Sequence, residues 1–71
     1  MNYVILIEPA GDGSLSAWVP DLPGCTSCGD TESELRANIR EAIREHVRAM
    51  REAGEAIPAP SSRAEVVEAA A

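Results

Sequence analysis

Hydrophobic and polar positions divide the chain into three patterns. From Asn2 to Pro9 almost every position is apolar: Tyr3, Ile5 and Ile7 share one face of a strand, while Val4 and Leu6 share the other before Glu8. Apolar side chains on both faces predict a strand covered from two sides. Pro9-Ala10-Gly11-Asp12-Gly13-Ser14 is turn chemistry. Leu15 to Val19 then alternates, with Leu15, Ala17 and Val19 on one face and Trp18 on the other, so the two runs predict a hairpin. Pro20-Asp21-Leu22-Pro23-Gly24 cannot continue a paired strand, because neither proline has an amide hydrogen. Cys25 to Gly29 suits a short third strand at an edge.

After Gly29 the period changes from that of a strand to that of a helix. Thr31-Glu32-Ser33-Glu34 fits a capping box, in which a Thr hydroxyl and a carboxylate each satisfy an orphan amide. From there to about Ala53, Leu35, Ile39, Ala42, Ile43, Met50 and Ala53 form one apolar stripe at 100° per residue. Arg36, Arg40, Arg44, Arg48 and Arg51 form a row beside it, and Glu41, Glu45 and Glu52 form the next. Glu45 with Arg48, and Arg48 with Glu52, stand at pairing spacing, each worth about 0.2–0.5 kcal/mol. Gly54 caps the end, and Pro58 and Pro60 prevent continuation.

Beyond the prolines, Glu65-Val66-Val67 reads as a last strand closing the sheet, or as the start of a short helix ending in Ala69-Ala70-Ala71. Val is β-branched and a lone helical turn lacks support, which favours the strand. The expected fold class is α+β, in the order β-β-β-α-β: one helix packed on a small antiparallel sheet.

At 71 residues this is one domain, and a chain of that size buries only about 60% of the surface exposed on unfolding. Ala is the commonest residue and Phe is absent, so few large side chains carry the core. Self-association, as a homo-oligomeric dimer or tetramer, is the expected supplement. The net charge is −6 and every basic residue is Arg. Residues 1–34 hold six acids and no base. That balance disfavours nucleic acid as a partner by itself and suits a basic protein. The longest run of large apolar residues, Val4 to Ile7, is too short to span a bilayer. A cytoplasmic protein with no membrane partner is expected.

Candidate chemistry is sparse. Cys25 and Cys28 have redox spacing, but Asp30 is near and no cation precedes the helix, so small structural side chains are expected. A zinc site would need four ligands, and His46 is the only other soft one. His46 falls in the apolar stripe with no nucleophile spaced to pair with it. Glu8, Asp12, Asp21 and Asp30 are the carboxylates a two-metal nuclease would need, but Asp12 and Asp21 sit in turns. No enzyme, metal or cofactor is expected. Two features remain as binding surfaces: the turn-rich Pro20–Cys25 segment, and the row Arg36, Arg40, Arg44 and Arg48 as an interface face.

The string Trp18-Val19-Pro20-Asp21-Leu22-Pro23-Gly24-Cys25, followed by Gly29-Asp30-Thr31 opening a helix, resembles the HicB-like antitoxin family. The flanks agree: a Tyr3 strand ending at Glu8, a Gly-containing hairpin, and Gly54-Glu55-Ala56-Ile57-Pro58-Ala59-Pro60-Ser61 after the helix. The resemblance implies a β-β-β-α-β domain over residues 1–62, like a partial, degraded ribonuclease H fold; many members add a C-terminal DNA-binding domain, whereas here residues 63–71 are expected to form only a short segment, a possible last strand and a frayed tail, too few for such a domain. It also implies a prokaryotic antitoxin that binds and masks a small basic HicA-type mRNA interferase. The alternative is a solitary oligomeric module that binds another protein or RNA through its Arg-rich helix face. In either case Pro20, Asp21, Leu22, Pro23, Gly24, Cys25, Gly29, Asp30 and Thr31 are the signature, as structural turns or partner contacts.

Overall fold

The computed structural model describes residues 1–70. Three strands, β1 (Leu6–Pro9), β2 (Leu15–Trp18) and β3 (Thr26–Gly29), precede one helix, α1 (Glu32–Glu52). The strands form an antiparallel meander in the order β1-β2-β3. Leu6 lies opposite Trp18, and Trp18 opposite Thr26. That register sorts every side chain to a face. Ile7, Leu15, Ala17 and Gly29 face the helix, and Leu6, Glu8, Ser16, Trp18, Thr26 and Cys28 face away.

β1 is shorter than the apolar run that suggested it. Continuing the register would set Ile5 against Val19 and Val4 against Pro20. Val19 N–H points toward the other neighbour, donating to the Cys25 carbonyl at 3.1 Å, so the next ladder bond to the first strand would fall at Pro20, which has no N–H to give. Pairing therefore stops at Leu6, although Tyr3 and Ile5 still pack against the core.

The core lies between α1 and the sheet: Ala17, Val19, Leu22, Cys25, Leu35 and Ile39 are buried, with Leu22 and Leu35 completely so. Ala42, Ile43, Val47 and Met50 extend the contact while remaining partly exposed. A helix of 21 residues is about 31 Å long, whereas four-residue strands reach only about 13 Å. The C-terminal half of α1 thus overhangs the sheet, and Ala53, at the end of the expected stripe, is exposed. Val47 joins the buried face in its place.

Both helix ends are capped. Thr31 Oγ1 accepts from Glu34 N–H at 3.1 Å, and Glu32 and Glu34 add negative charge to the first turn. At the other end Gly54 N–H donates to Arg51 and Glu55 N–H to Met50, the paired bonds of a Schellman motif. The ion pairs along the helix are Arg36–Glu32 at 3.5 Å and Arg44–Glu41 at 3.3 Å. Among the described residues neither pairing expected at Arg48 forms.

Gly29 decides how closely the layers approach. A Cβ built there would lie 2.7 Å from Leu35 N and 3.0 Å from Leu35 Cα, both backbone atoms of α1. Gly29→Ala must push the helix off β3, and is expected to destabilise the domain by about 1–3 kcal/mol. A thermal midpoint equal to that of the wild type would show that the layers have slack.

The closing strand expected over Glu65–Val67 is not formed. Residues 55–70 have no regular structure, and Val66 and Val67 are 100% and 78% exposed. A strand needs a ladder partner, and residues 58–62, just before this segment, are tied to Tyr3 and Asp21 instead of to a strand edge. The end of the expected tail, Ala71, lies outside the described residues.

Candidate partner-binding surfaces

The signature segment between β2 and β3 is two successive β-turns. Leu22 N–H donates to Val19 O at 3.1 Å, closing a turn with Pro20 in its second position. Cys25 N–H donates to Leu22 O at 3.0 Å, closing a second turn with Pro23 and Gly24 at its centre. Gly24 has φ 84°, the value a type II turn demands at that place. The two turns drive Leu22 into the core, while Pro23 and Gly24 stay exposed. Pro23 borders a shallow depression with His46, Ala49 and Met50 of the helix overhang.

Asp21 points the other way and grips the segment after the helix. Its carboxylate accepts from Ser62 N–H at 3.0 Å and Ser62 Oγ at 2.7 Å, and from Ser61 N–H at 2.9 Å and Ser61 Oγ at 3.2 Å. Tyr3 donates its hydroxyl to the Pro58 carbonyl. Residues 58–62 form a strap across one end of the domain. Donors 40 and 41 positions away leave no local pattern in the sequence.

These four bonds, led by the Ser62 amide and hydroxyl, hold the Asp21 carboxyl at about 2, below its ordinary 3.8. A native pKa below the unfolded one means that the ionised form stabilises the strap. Its contribution is fully present above the ordinary value and is lost as pH falls toward about 2. The Ser61 and Ser62 amide resonances are therefore expected to titrate together in that range, and Asp21→Asn to abolish the transition. Titration near 4 would mean that the carboxylate is not gripped.

The remaining signature residues stand at the β3–α1 junction. Gly29 is buried, Asp30 is exposed beside the helix N-terminus, and Thr31 is the cap. Strand alternation separates the two thiols. Cys25 is buried, and burial raises its pKa, which keeps it protonated; Cys28 is exposed on the opposite sheet face. Among the described residues no three His, Cys, Asp or Glu side chains gather to hold a metal ion. Among the described residues no helix is long and apolar enough to cross a membrane. Arg36, Arg40, Arg44 and Arg48 all lie exposed along α1, but Arg36 and Arg44 are engaged by glutamates, so the row is partly neutralised.

The surface that the sequence did not single out is the sheet face away from the helix. Trp18 stands at its centre between Leu6 and Thr26 and is 40% exposed. Its indole donates to Glu8 Oε1 at 3.3 Å. An unpaired Trp on an open sheet, where the alternation had put it opposite the core, was the available signal.

A small α+β domain with an exposed aromatic on an uncovered sheet defines a binding protein by its surfaces, and known proteins say of which kind. The sequence profile of the HicB-like antitoxin of bacterial toxin–antitoxin systems matches residues 3–71. A protein from the rep-hol intergenic region of Haemophilus phage HP1 is 48% identical over 58 residues, covering 82% of this chain and 43% of that protein. The chain therefore spans less than half of that relative's length. A UPF0150 protein of Thermoplasma acidophilum is 40% identical over 58 residues, covering 82% of this chain and 84% of its own. Among solved structures, a chain of the HicA3 and HicB3 toxin–antitoxin complex superposes with a TM-score of 0.73 at 30% identity, covering 86% of this chain and 70% of that one. This chain belongs to the HicB-like antitoxin family.

Proposed function

We propose that the protein is a cytoplasmic, non-catalytic antitoxin that binds a small basic HicA-type mRNA interferase and masks its active site. The observation that carries this reading is the open sheet face, with Trp18 exposed at its centre and Glu8 beside it. Trp is the residue type most enriched at energetic centres of interfaces. The acid-only composition of residues 1–34 supplies a field that draws a basic partner in. The chain also self-associates in this reading, because its own core is small and β1 is poorly covered, with Ile7 40% exposed on the helix side.

The test is recovery of the tagged protein from its native cell, with co-purifying proteins identified. A stoichiometric small basic protein whose toxicity this chain suppresses on co-expression is the expected result. Recovery of the chain with copies of itself alone would remove the antitoxin assignment. With the partner in hand, the association rate is expected to fall steeply as ionic strength rises, since the Debye length shrinks from about 10 Å at 0.1 M to about 3 Å at 1 M salt. A rate indifferent to salt would refute electrostatic steering.

A further inference from the structure

The two edges of the sheet are not equivalent. At β3, Asn38 Nδ2 of the helix donates to the Cys28 carbonyl at 2.8 Å, and Gly29 lies against the α1 backbone. At β1 nothing plays this part. α1 packs over β3 and β2 and leaves β1 outside its footprint. A groove lies between the helix and residues 1–5, which lead into β1, with Tyr3, Ile5, Ile39 and Ile43 as its apolar walls and Arg36 and Arg40 as its charged members. Arg36 answers Glu32, but Arg40 makes no ion pair among the described residues. The groove lacks one strand with apolar and acidic side chains on one face.

The chain carries such a strand and does not use it at home. Glu65-Val66-Val67-Glu68 is unpaired, with Val66 fully exposed. As a strand, Val66 and Glu68 would share a face. The strap holds the chain just before this segment. It touches Tyr3 at Pro58, then Asp21 at Ser61 and Ser62. The segment beyond it, with Val66 fully exposed, does not fill the groove of its own chain.

We infer that the 65–68 segment of one copy adds as a fourth strand to the β1 edge of a second copy, with Val66 entering the groove walled by Ile5, Ile39 and Ile43 and Glu68 meeting Arg40. Exchanged reciprocally, the two segments close both sheets, so the groove is complete only in the dimer. Complementary charge and the missing ladder partner specify the occupant: a strand, apolar and acidic, from another copy of this chain. The open Trp18 face lies on the other side of the sheet and stays free for a different partner. This inference deepens the self-association proposed above.

Sedimentation of the full chain and of variants tests it. The wild type is expected as a dimer, and Val66→Asp should weaken dimerisation by at least about tenfold. Arg40→Glu and Glu68→Arg chains should each dimerise poorly, and mixing them should restore a dimer, because both 40–68 contacts of the mixed pair then join opposite charges. All three changes lie on exposed or groove-rim positions and leave the buried core intact. If Val66→Asp dimerises like the wild type, the strand exchange is wrong while self-association stands. If the mixture restores nothing but Arg40→Glu and Glu68→Arg on one chain yield a stable monomer, each segment fills its own groove. A wild type that is monomeric throughout removes both the exchange and the self-association.

Discussion

Leu22→Ala is expected to cost about 2–5 kcal/mol, the range for truncating a fully buried leucine whose cavity cannot collapse. Leu22 has no exposed surface. The turns on either side of it are closed by bonds from its own amide and to its own carbonyl, so its backbone cannot move inward to fill the space. A 71-residue domain has in total only roughly 4–11 kcal/mol to lose. The thermal midpoint should drop by at least about 10 °C, while Leu22→Met, which conserves volume, should cost under about 1.5 kcal/mol. Equal melting of Leu22→Ala and the wild type would mean that the signature loop is not part of the core. The same experiment separates two roles in one motif: Leu22 holds the fold, whereas exposed Pro23 and Gly24 are free to touch a partner.

Trp18→Thr is expected to weaken binding of the toxin partner by about thirtyfold or more while leaving the melting curve nearly unchanged. A truncated Trp at the centre of an interface commonly costs at least about 2 kcal/mol. Thr preserves strand propensity opposite Thr26, and Trp18 lies outside the buried core. Calorimetric titration of the purified partner measures the loss. Unchanged affinity in a folded variant would move the contact surface elsewhere, with the Arg row of α1 the next place to look. There, triple replacement of Arg40, Arg44 and Arg48 asks whether RNA or a protein is bound by the helix.

The most local features were the most legible. Thr31, the Leu35–Ile39–Ile43 spacing and Gly54 announce a helix and its two ends because caps and periodicity involve neighbours within one or two turns. The hairpin and the proline-rich turns were legible for the same reason. The first strand is shorter than its apolar pattern, which continues through Tyr3 and Ile5, because its partner gives out at Pro20, which has no amide hydrogen to donate. The candidate site was legible as a motif and not as a mechanism of holding. Nothing near Asp21 in the chain indicates that it grips Ser61 and Ser62.

By itself, the sequence determined the element order through the helix, the turn chemistry between β2 and β3, the acid-rich first half and the family, each readable from residue types and short spacings. The tertiary structure decided what depends on distant parts of the chain meeting. It set the 2.7 Å approach that makes Gly29 irreplaceable and left one face of the sheet bare around Trp18. It also tied residues 58–62 to Tyr3 and Asp21 and left the last apolar segment unpaired. Local chemistry specifies which strands can form, but a strand is completed only by a partner, and where that partner lies depends on how the whole chain is routed.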